Sequence, residues 1–108
     1  MMLDLTIISE QYFDLKLLDG RVLNLKKMTQ GMIITTTALD KAIAKANDNK
    51  DYEKVLNLNV DRLMLILNHN KEKINITKKD IESLTPEHMS AIIIAYTDWM
   101  QGINNDPN

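Results

Sequence analysis

Residues 12–26 contain the segment FDLKLLDGRVLNL, in which apolar and polar residues alternate on both sides of an Asp-Gly pair. Alternation of this kind around a turn signal predicts a β-hairpin. A two-residue turn at the Asp-Gly pair would place polar side chains opposite apolar ones on each face. A three-residue loop over residues 18–20, with Gly20 left-handed, instead places Leu15 opposite Leu23 and gives one apolar face. We predict this second register.

The apolar face of the hairpin needs a cover, because an isolated two-stranded hairpin is only marginally stable in water. Its members are Phe13, Leu15, Leu23 and Leu25. The first candidate for the cover is a helix over residues 30–47, which follows an N-cap at Thr29. Nearer the N-terminus, residues 3–7 alternate weakly between apolar and polar side chains, which leaves a third strand open.

Two further helices are predicted in the middle of the chain. The first covers residues 51–69 and has one main apolar face and a second apolar stripe made by Leu58 and Leu65. The main face consists of Tyr52, Val55, Leu56, Val60, Leu63, Ile66 and Leu67. Next, Thr77 begins a Thr-x-x-Asp sequence that resembles a capping box and predicts a short helix over residues 78–84.

The last predicted helix covers residues 86–101. Thr85 is its N-cap, and Pro86 occupies the first helical position, where a missing N–H costs nothing. Gly102 is the expected C-terminal stop. One arc of this helix is apolar and must be buried. The arc consists of Met89, Ile92, Ile93, Tyr96, Trp99, Met100 and Ile103.

These elements predict an α+β fold in which an N-terminal β-hairpin packs on a bundle of about four α-helices. A chain of 108 residues is long enough for one modest core. We therefore expect a single domain over residues 1–103 and a flexible tail over residues 104–108. The hydrophobic content of 44% and the charged content of 26% are typical of a soluble globular protein.

Charge is distributed unevenly along the chain. Residues 1–79 carry ten acidic and thirteen basic side chains, whereas residues 80–108 carry five acidic side chains and no basic one. A surface that binds nucleic acid needs clustered Lys and Arg, so we expect no nucleic-acid partner. The N-terminus lacks the pattern of a signal peptide, and no segment approaches 18 uninterrupted apolar residues. We therefore expect neither secretion nor a membrane partner.

The sequence offers little for catalysis. His69 and His88 are the only histidines, there is no Cys, and the spacing does not favour a metal site. The three glycines are too far apart for a phosphate-binding loop, and no Ser lies in a nucleophile elbow. We predict a protein that is not an enzyme and has no catalytic residues, cofactor or metal.

Several apolar residues fall outside the faces that the predicted core requires. They are Ile34, Leu58, Met64, Leu65 and Ile94. Methionine side chains adapt to varied partners, and contiguous exposed apolar surface marks binding sites. We predict that these five residues form a partner-binding or self-association surface.

The order of these features resembles a known family. FDLKLLDGRVLNLKKMTQGMI and, later, KINITKKDIESLTPEHMSAIIIAYTDWM are similar to segments of the small tail assembly chaperones of long-tailed, siphovirus-type phages and prophages of Gram-positive bacteria. The resemblance covers about residues 12–103. It rests on the Asp-Gly hairpin, the Leu25-Lys26-Lys27 segment before a helix, the Ile76-Thr77 pair and the aromatic residues near the end.

The resemblance implies a non-enzymatic protein that coats the hydrophobic tape measure protein, keeps it soluble and brings in tail tube protein during tail-tube polymerisation. It also implies a homo-oligomer located in the cytoplasm of the bacterial host. Two alternatives remain. A structural virion protein such as a head-tail connector would stay in the finished particle, and a small regulatory DNA-binding protein is disfavoured by the acidic last quarter of the chain.

Overall fold

A β-hairpin is followed by four helices in the computed structural model, which describes residues 1–8 and 10–105, with side chains described up to residue 102. The strands are β1, Tyr12–Lys16, and β2, Val22–Lys26. The helices are α1, Gln30–Asp48; α2, Tyr52–Leu67; α3, Lys78–Glu82; and α4, Pro86–Asn105. The fold is therefore α+β, as the sequence predicts.

The hairpin adopts the predicted register. Leu15 lies opposite Leu23, Phe13 lies opposite Leu25, and the strands are antiparallel. Gly20 closes the loop at φ +94°, a left-handed conformation that side chains with a Cβ rarely adopt. The apolar pattern selects this register because a shift by one residue would turn every apolar side chain of the strand to the opposite face.

The third strand that the sequence left open does not form within the described residues, in which the sheet has two strands. Leu5–Ile7 forms a single 3₁₀ turn instead. The Asp4 carboxylate accepts hydrogen bonds from the backbone N–H of Thr6 at 3.0 Å and from its hydroxyl at 2.6 Å. This local capping competes with the extended conformation that a strand requires.

The main core lies between the hairpin and helices α2, α3 and α4. Its largest fully buried side chains are Leu23, Leu25, Leu63, Ile66, Leu67, Ile76, Ile81 and Tyr96. The ring of Phe13 lies 5.9 Å from that of Tyr96 and 5.8 Å from that of Trp99, measured between centroids. The Tyr96 hydroxyl also donates a 2.7 Å hydrogen bond to the carbonyl of Lys26 in β2. Helix α4 therefore covers the hairpin.

The expectation that the first helix covers the hairpin is wrong. Helix α1 packs along α2, and none of its residues belongs to the main core. Its buried residues, Thr36 and Ala46, are small. They bury little apolar area, whereas Tyr96 and Trp99 of α4 present large rings to the hairpin.

Three of the four predicted helix starts are confirmed, and α2 begins at Tyr52, one residue later than predicted. The Thr29 hydroxyl accepts a hydrogen bond from Met32 N–H, and the Asp51 carboxylate accepts one from Lys54 N–H. Thr77 and Asp80 form a reciprocal capping box. At the start of α4, the Thr85 hydroxyl accepts a 3.1 Å hydrogen bond from the backbone N–H of His88. These bonds satisfy donors that a helix start otherwise leaves without partners.

The predicted helix ends are less accurate. Helix α4 continues through Gly102 to Asn105, so the assignment of Gly102 as a stop is wrong, and Asn104 and Asn105 belong to the helix. Residues 106–108 of the predicted tail lie outside the described residues. Helices α2 and α3 each end two residues earlier than predicted. Helix starts are set by local caps, whereas the ends here have no comparably strong local signal.

The loop between α2 and α3 is held in shape by Asn70, whose side chain is buried. Its amide donates to the carbonyls of Leu67 and Ile74, and its oxygen accepts from Ile74 N–H at 2.8 Å. The neighbouring Lys71 N–H donates to the carbonyl of Asn24 in β2 at 2.9 Å. This segment therefore covers the free edge of β2.

None of the helices in the described part of the chain combines the length and apolar character that a membrane span requires.

Candidate partner-binding groove

Helices α2 and α4 leave an open groove between them, and the N-terminal half of α1 forms a third wall. We call this feature the α2–α4 groove. Its volume is about 350 Å³. Its apolar lining consists of Met28, Ile33, Ile66, Ile93 and Met100. A smaller hollow of about 70 Å³, lined in part by Leu56 and Met89, continues the groove toward the start of α4.

Two residues that the sequence assigns to the buried face of α2 are not covered in the structure. Tyr52 and Leu56 are exposed instead, so their predicted burial is wrong. Both lie in the N-terminal half of α2, where α4 does not cover that face and the small hollow opens beside Leu56. The periodicity of α2 identifies an apolar face correctly, but it does not show how far the neighbouring helix covers it.

Arg62 places a charged group within the groove. Its side chain is 15% exposed and forms an ion pair with Asp40 of α1. The Nε atom of Arg62 has no hydrogen-bond partner among the described residues. Burial lowers the pKa of Arg62, but a guanidinium remains charged at neutral pH. The Nε atom is itself buried and is therefore not exposed to a partner in the groove.

Of the five sequence-predicted surface residues, Ile34 and Ile94 are strongly exposed, at 69% and 60%. Ile94 lies on the rim of the groove, because Ser90 and Thr97, one helical turn away on either side, line its two parts. Ile34 does not line the groove, although its neighbour Ile33 does. The structure thus brings one of the two exposed isoleucines to the groove.

The other three predicted surface residues are half-buried. Leu58 and Leu65 lie one turn before and after Arg62 on α2, and Arg62 faces α1 through its pair with Asp40. This second stripe of α2 therefore faces the side on which α1 packs. Met64 packs against the main core. The predicted role of these residues in partner binding stays a prediction.

Sequence reasoning did not assign Met28, Ile33, Arg62 or Met100 to a partner-binding surface. One available signal was Ile33, an apolar residue off the main face of its helix. A second was Arg62, which with its neighbour Asp61 is one of the two charged residues in the otherwise apolar run VDRLMLIL. No local pattern could show that α1, α2 and α4 bring these residues together.

The two histidines serve as structural hydrogen-bonding groups. His69 Nε2 lies 3.0 Å from the carbonyl oxygen of Lys27. His88 Nδ1 accepts a 3.1 Å hydrogen bond from the backbone N–H of Thr85. Within residues 1–8 and 10–105, no group of three or more His, Asp or Glu side chains is arranged to hold a metal ion.

The fold and the groove define an α+β protein with an open cleft between helices, lined by five apolar and six polar or charged residues. Comparisons of the chain with protein-family models, with curated proteins and with solved structures give no match.

Proposed function

We propose that the protein is a tail assembly chaperone of a long-tailed phage or prophage and that it binds an apolar helix of the tape measure protein in the α2–α4 groove. The observation that carries this proposal is the open groove itself, with Met28 and Met100 in its lining and the exposed Ile94 on its rim. The resemblance of residues 12–103 to such chaperones supplies the identity of the partner.

The chemistry of the groove supports a helical partner. An amphipathic helix binds in a groove by placing its apolar face, at i, i+3, i+4 and i+7, against apolar walls. Met28 and Met100 supply flexible side chains that adapt to different apolar sequences. This adaptability suits a chaperone that binds successive segments of one long protein.

The charges beside the groove favour particular features of the partner. Helix α4 carries Glu87 and Asp98 and has no basic residue. A partner helix with Lys or Arg on the flank next to α4 would complement these carboxylates.

The test is co-expression with the tape measure protein from the same gene neighbourhood, followed by pull-down and measurement of the soluble fraction. We expect the wild-type chain to keep the tape measure protein soluble. Ile94→Glu should weaken the association at least about tenfold, because it places a charge in the apolar interface. Val22→Glu is the matched control, since Val22 is also half exposed but lies on the outer face of β2.

A charge at Leu65 would be a poorer test, because Leu65 is half-buried and a charged side chain at this position would destabilise the fold. Circular dichroism of each variant verifies the fold. Failure of the wild-type chain to associate with the tape measure protein would refute the proposal, as would equal binding by Ile94→Glu and Val22→Glu. In the first case, detection of the chain in purified virions would identify a structural virion protein instead.

A further inference from the structure

The outer edge of β1 has no backbone partner. In β2, alternate residues bond to the loop that covers its edge, as where the Lys26 N–H donates to the carbonyl of His69. Because the antiparallel pattern alternates, the outward backbone groups of β1 are those of Tyr12, Asp14 and Lys16. The sheet has two strands in the described part of the chain, so these groups meet no third strand there. An edge of this kind can pair with another extended segment.

The apolar face of the hairpin is also incompletely covered on the side of that edge. Leu23 and Leu25 of β2 are fully buried. On the same face of β1, Phe13, Leu15 and Leu17 are only half-buried. Helix α4 and the rest of the core therefore cover β2 more completely than they cover β1.

A hollow of about 150 Å³ lies between β1 and one flank of α4, and we call it the β1 hollow. Leu15 lines it from β1, and Ala91 and Ile92 line it from α4. Its two polar lining residues are Lys16 and His88. The exposed Ala91 is small and leaves room beside β1. A hollow of this size and composition can take up an aliphatic side chain.

The N-terminal arm, which we define as residues 1–8, carries apolar side chains in the pattern that this edge requires. Leu3, Leu5 and Ile7 alternate with Asp4 and Thr6, as in a strand with one apolar face. Each of the three apolar side chains is at least 71% exposed. The hydrogen bonds described for the arm join residues within the arm. The arm can therefore move without breaking a described hydrogen bond to the rest of the chain.

We propose that the arm has a second, closed position in which it forms a third strand antiparallel to β1. Three residues lie between Ile8 and Tyr12, which is the length of a common hairpin loop. With this loop, the apolar side chains of the arm come opposite those of β1 and join the same face. The resulting pairs are Ile7 with Phe13, Leu5 with Leu15, and Leu3 with Leu17.

The charges select the same register. On the outer face, Asp4 comes opposite Lys16, and Thr6 comes opposite Asp14. A shift by two residues toward a longer loop would keep the apolar face but place Asp4 opposite Asp14, and like charges directly opposite each other are destabilising. A shift by one residue would turn the apolar side chains of the arm to solvent.

The two positions exchange one set of contacts for another. In the open position that the structure describes, Asp4 accepts hydrogen bonds from Thr6, and these are lost on closing. Closing satisfies the backbone edge of β1 and moves Leu5 from water to the β1 hollow. The last residue of such a loop is left-handed, as Gly20 is in the loop between β1 and β2. In the arm this residue is Gln11, whose side chain disfavours that conformation.

The arm is thus a strap. When it is closed, it covers the edge of β1 and the β1 hollow. When it is open, it leaves both to an extended segment of another protein.

The test uses designed disulfides, because the chain has no cysteine of its own. Thr6→Cys with Asp14→Cys places two thiols at exposed, directly opposite positions of the closed form, within the range of a disulfide. Thr6→Cys with Val22→Cys is the matched control, because Val22 shares the outer face but lies beyond β1 on β2. In a glutathione buffer at low protein concentration, the first pair should form an intramolecular disulfide at least about tenfold more readily than the control.

Two further substitutions in the first cysteine pair test the contacts. Leu5→Asp should lower disulfide formation about tenfold, because it places a charge in the β1 hollow. Met2→Asp adds the same charge outside the paired stretch and should leave disulfide formation unchanged. Gln11→Gly should raise it about fivefold, because glycine adopts the left-handed conformation without a Cβ penalty.

Equal disulfide formation by the two cysteine pairs would overturn the inference, as would a first pair that does not respond to Leu5→Asp. Disulfides that form between chains instead of within them would also overturn it, since they would place the arm on a second copy. An unchanged Gln11→Gly variant would overturn the three-residue loop and the register that depends on it. Because no tape measure protein is present, these outcomes are independent of the proposed chaperone function.

Discussion

At the scale of single residues, Tyr96 connects the two halves of the fold. Its side chain is fully buried, its ring contacts Phe13 of β1, and its hydroxyl donates to the carbonyl of Lys26 in β2. Burial raises the pKa of Tyr96 to about 12. One side chain of α4 thus supplies both an apolar contact and a polar contact to the hairpin, and the polar contact can be tested by removing a single oxygen.

We predict that Tyr96→Phe lowers the free energy of unfolding by about 1 to 2 kcal/mol, because it removes a buried hydrogen bond. Tyr52→Phe, at an exposed tyrosine, should change it by less than about 0.5 kcal/mol. Urea unfolding at neutral pH measures both. Equal effects of the two substitutions would mean that the Tyr96 hydroxyl contributes nothing to the fold.

The raised pKa of Tyr96 adds a dependence on alkaline pH. The unfolded chain loses the tyrosine proton near pH 10, whereas the folded chain keeps it until about pH 12. Unfolding is therefore increasingly favoured between these values. Over the same range, the wild-type chain should lose stability more steeply than Tyr96→Phe.

Asp80 gives the corresponding dependence on acid. Its carboxylate accepts hydrogen bonds from the backbone N–H and hydroxyl of Thr77, and it pairs with Arg21 at 3.0 Å. The bond from the Thr77 backbone is the largest cause that lowers the pKa of Asp80, followed by the bond from its hydroxyl. The stabilisation is present above the ordinary pKa of about 4 and is lost as pH falls through the lower folded value.

We predict that Asp80→Asn makes stability depend less on pH below about 4, since it removes the titrating carboxylate. Asp61→Asn, at an exposed position of α2, is the matched control and should retain the wild-type acid dependence. Thermal unfolding over a series of acidic buffers measures the slope. An unchanged slope in Asp80→Asn would show that Asp80 does not contribute to acid unfolding.

At the scale of the elements, α4 is longer than its sequence suggests. Gly102 commonly marks a helix end, yet it lies within the last turns of α4. A Cβ added at this position meets nothing within 4 Å. Glycine is disfavoured in a helix relative to alanine because it loses more conformational freedom when the chain folds.

We predict that Gly102→Ala raises the free energy of unfolding, or the stability of the C-terminal end of α4, by up to about 1 kcal/mol. Gly20→Ala, at φ +94°, should instead destabilise the hairpin by about 1 kcal/mol. Urea unfolding, together with the helical signal in circular dichroism, measures both variants. A destabilising Gly102→Ala would indicate that the helix stops at this glycine in solution.

At the scale of the whole molecule, the chain is more extended than a compact domain of its length. Its radius of gyration is 15.3 Å, compared with about 13 Å expected for this length. The main core joins the hairpin to α2, α3 and α4, whereas α1 packs along α2 outside that core. Opening of α1 would therefore leave the main core in place.

We predict that amides of α1 exchange with solvent faster than those of β2 and α4. Local opening requires less free energy where fewer buried apolar contacts must break. Hydrogen exchange followed by mass spectrometry at neutral pH measures this, with α4 as the internal reference. Equal protection of α1 and α4 would show that the molecule opens as one cooperative unit.

The sequence by itself determined the features that depend on near neighbours. The alternation around Gly20 set the hairpin register, because only one register gives a single apolar face. Thr29, Thr77 and Thr85 set the helix starts, because a cap needs only the next few backbone N–H groups. The apolar arc of α4 predicted its buried face for the same reason.

The tertiary structure alone decided which helix covers the hairpin, how far α4 covers α2 and where a groove remains open. Both α1 and α4 have apolar faces, and the larger rings of α4 bury more area against the hairpin. Ile33, Arg62 and Met100 lie far apart in sequence and meet only when three helices pack together. Periodicity shows which face of a helix is apolar, whereas burial depends on the shapes and sizes of everything packed against it.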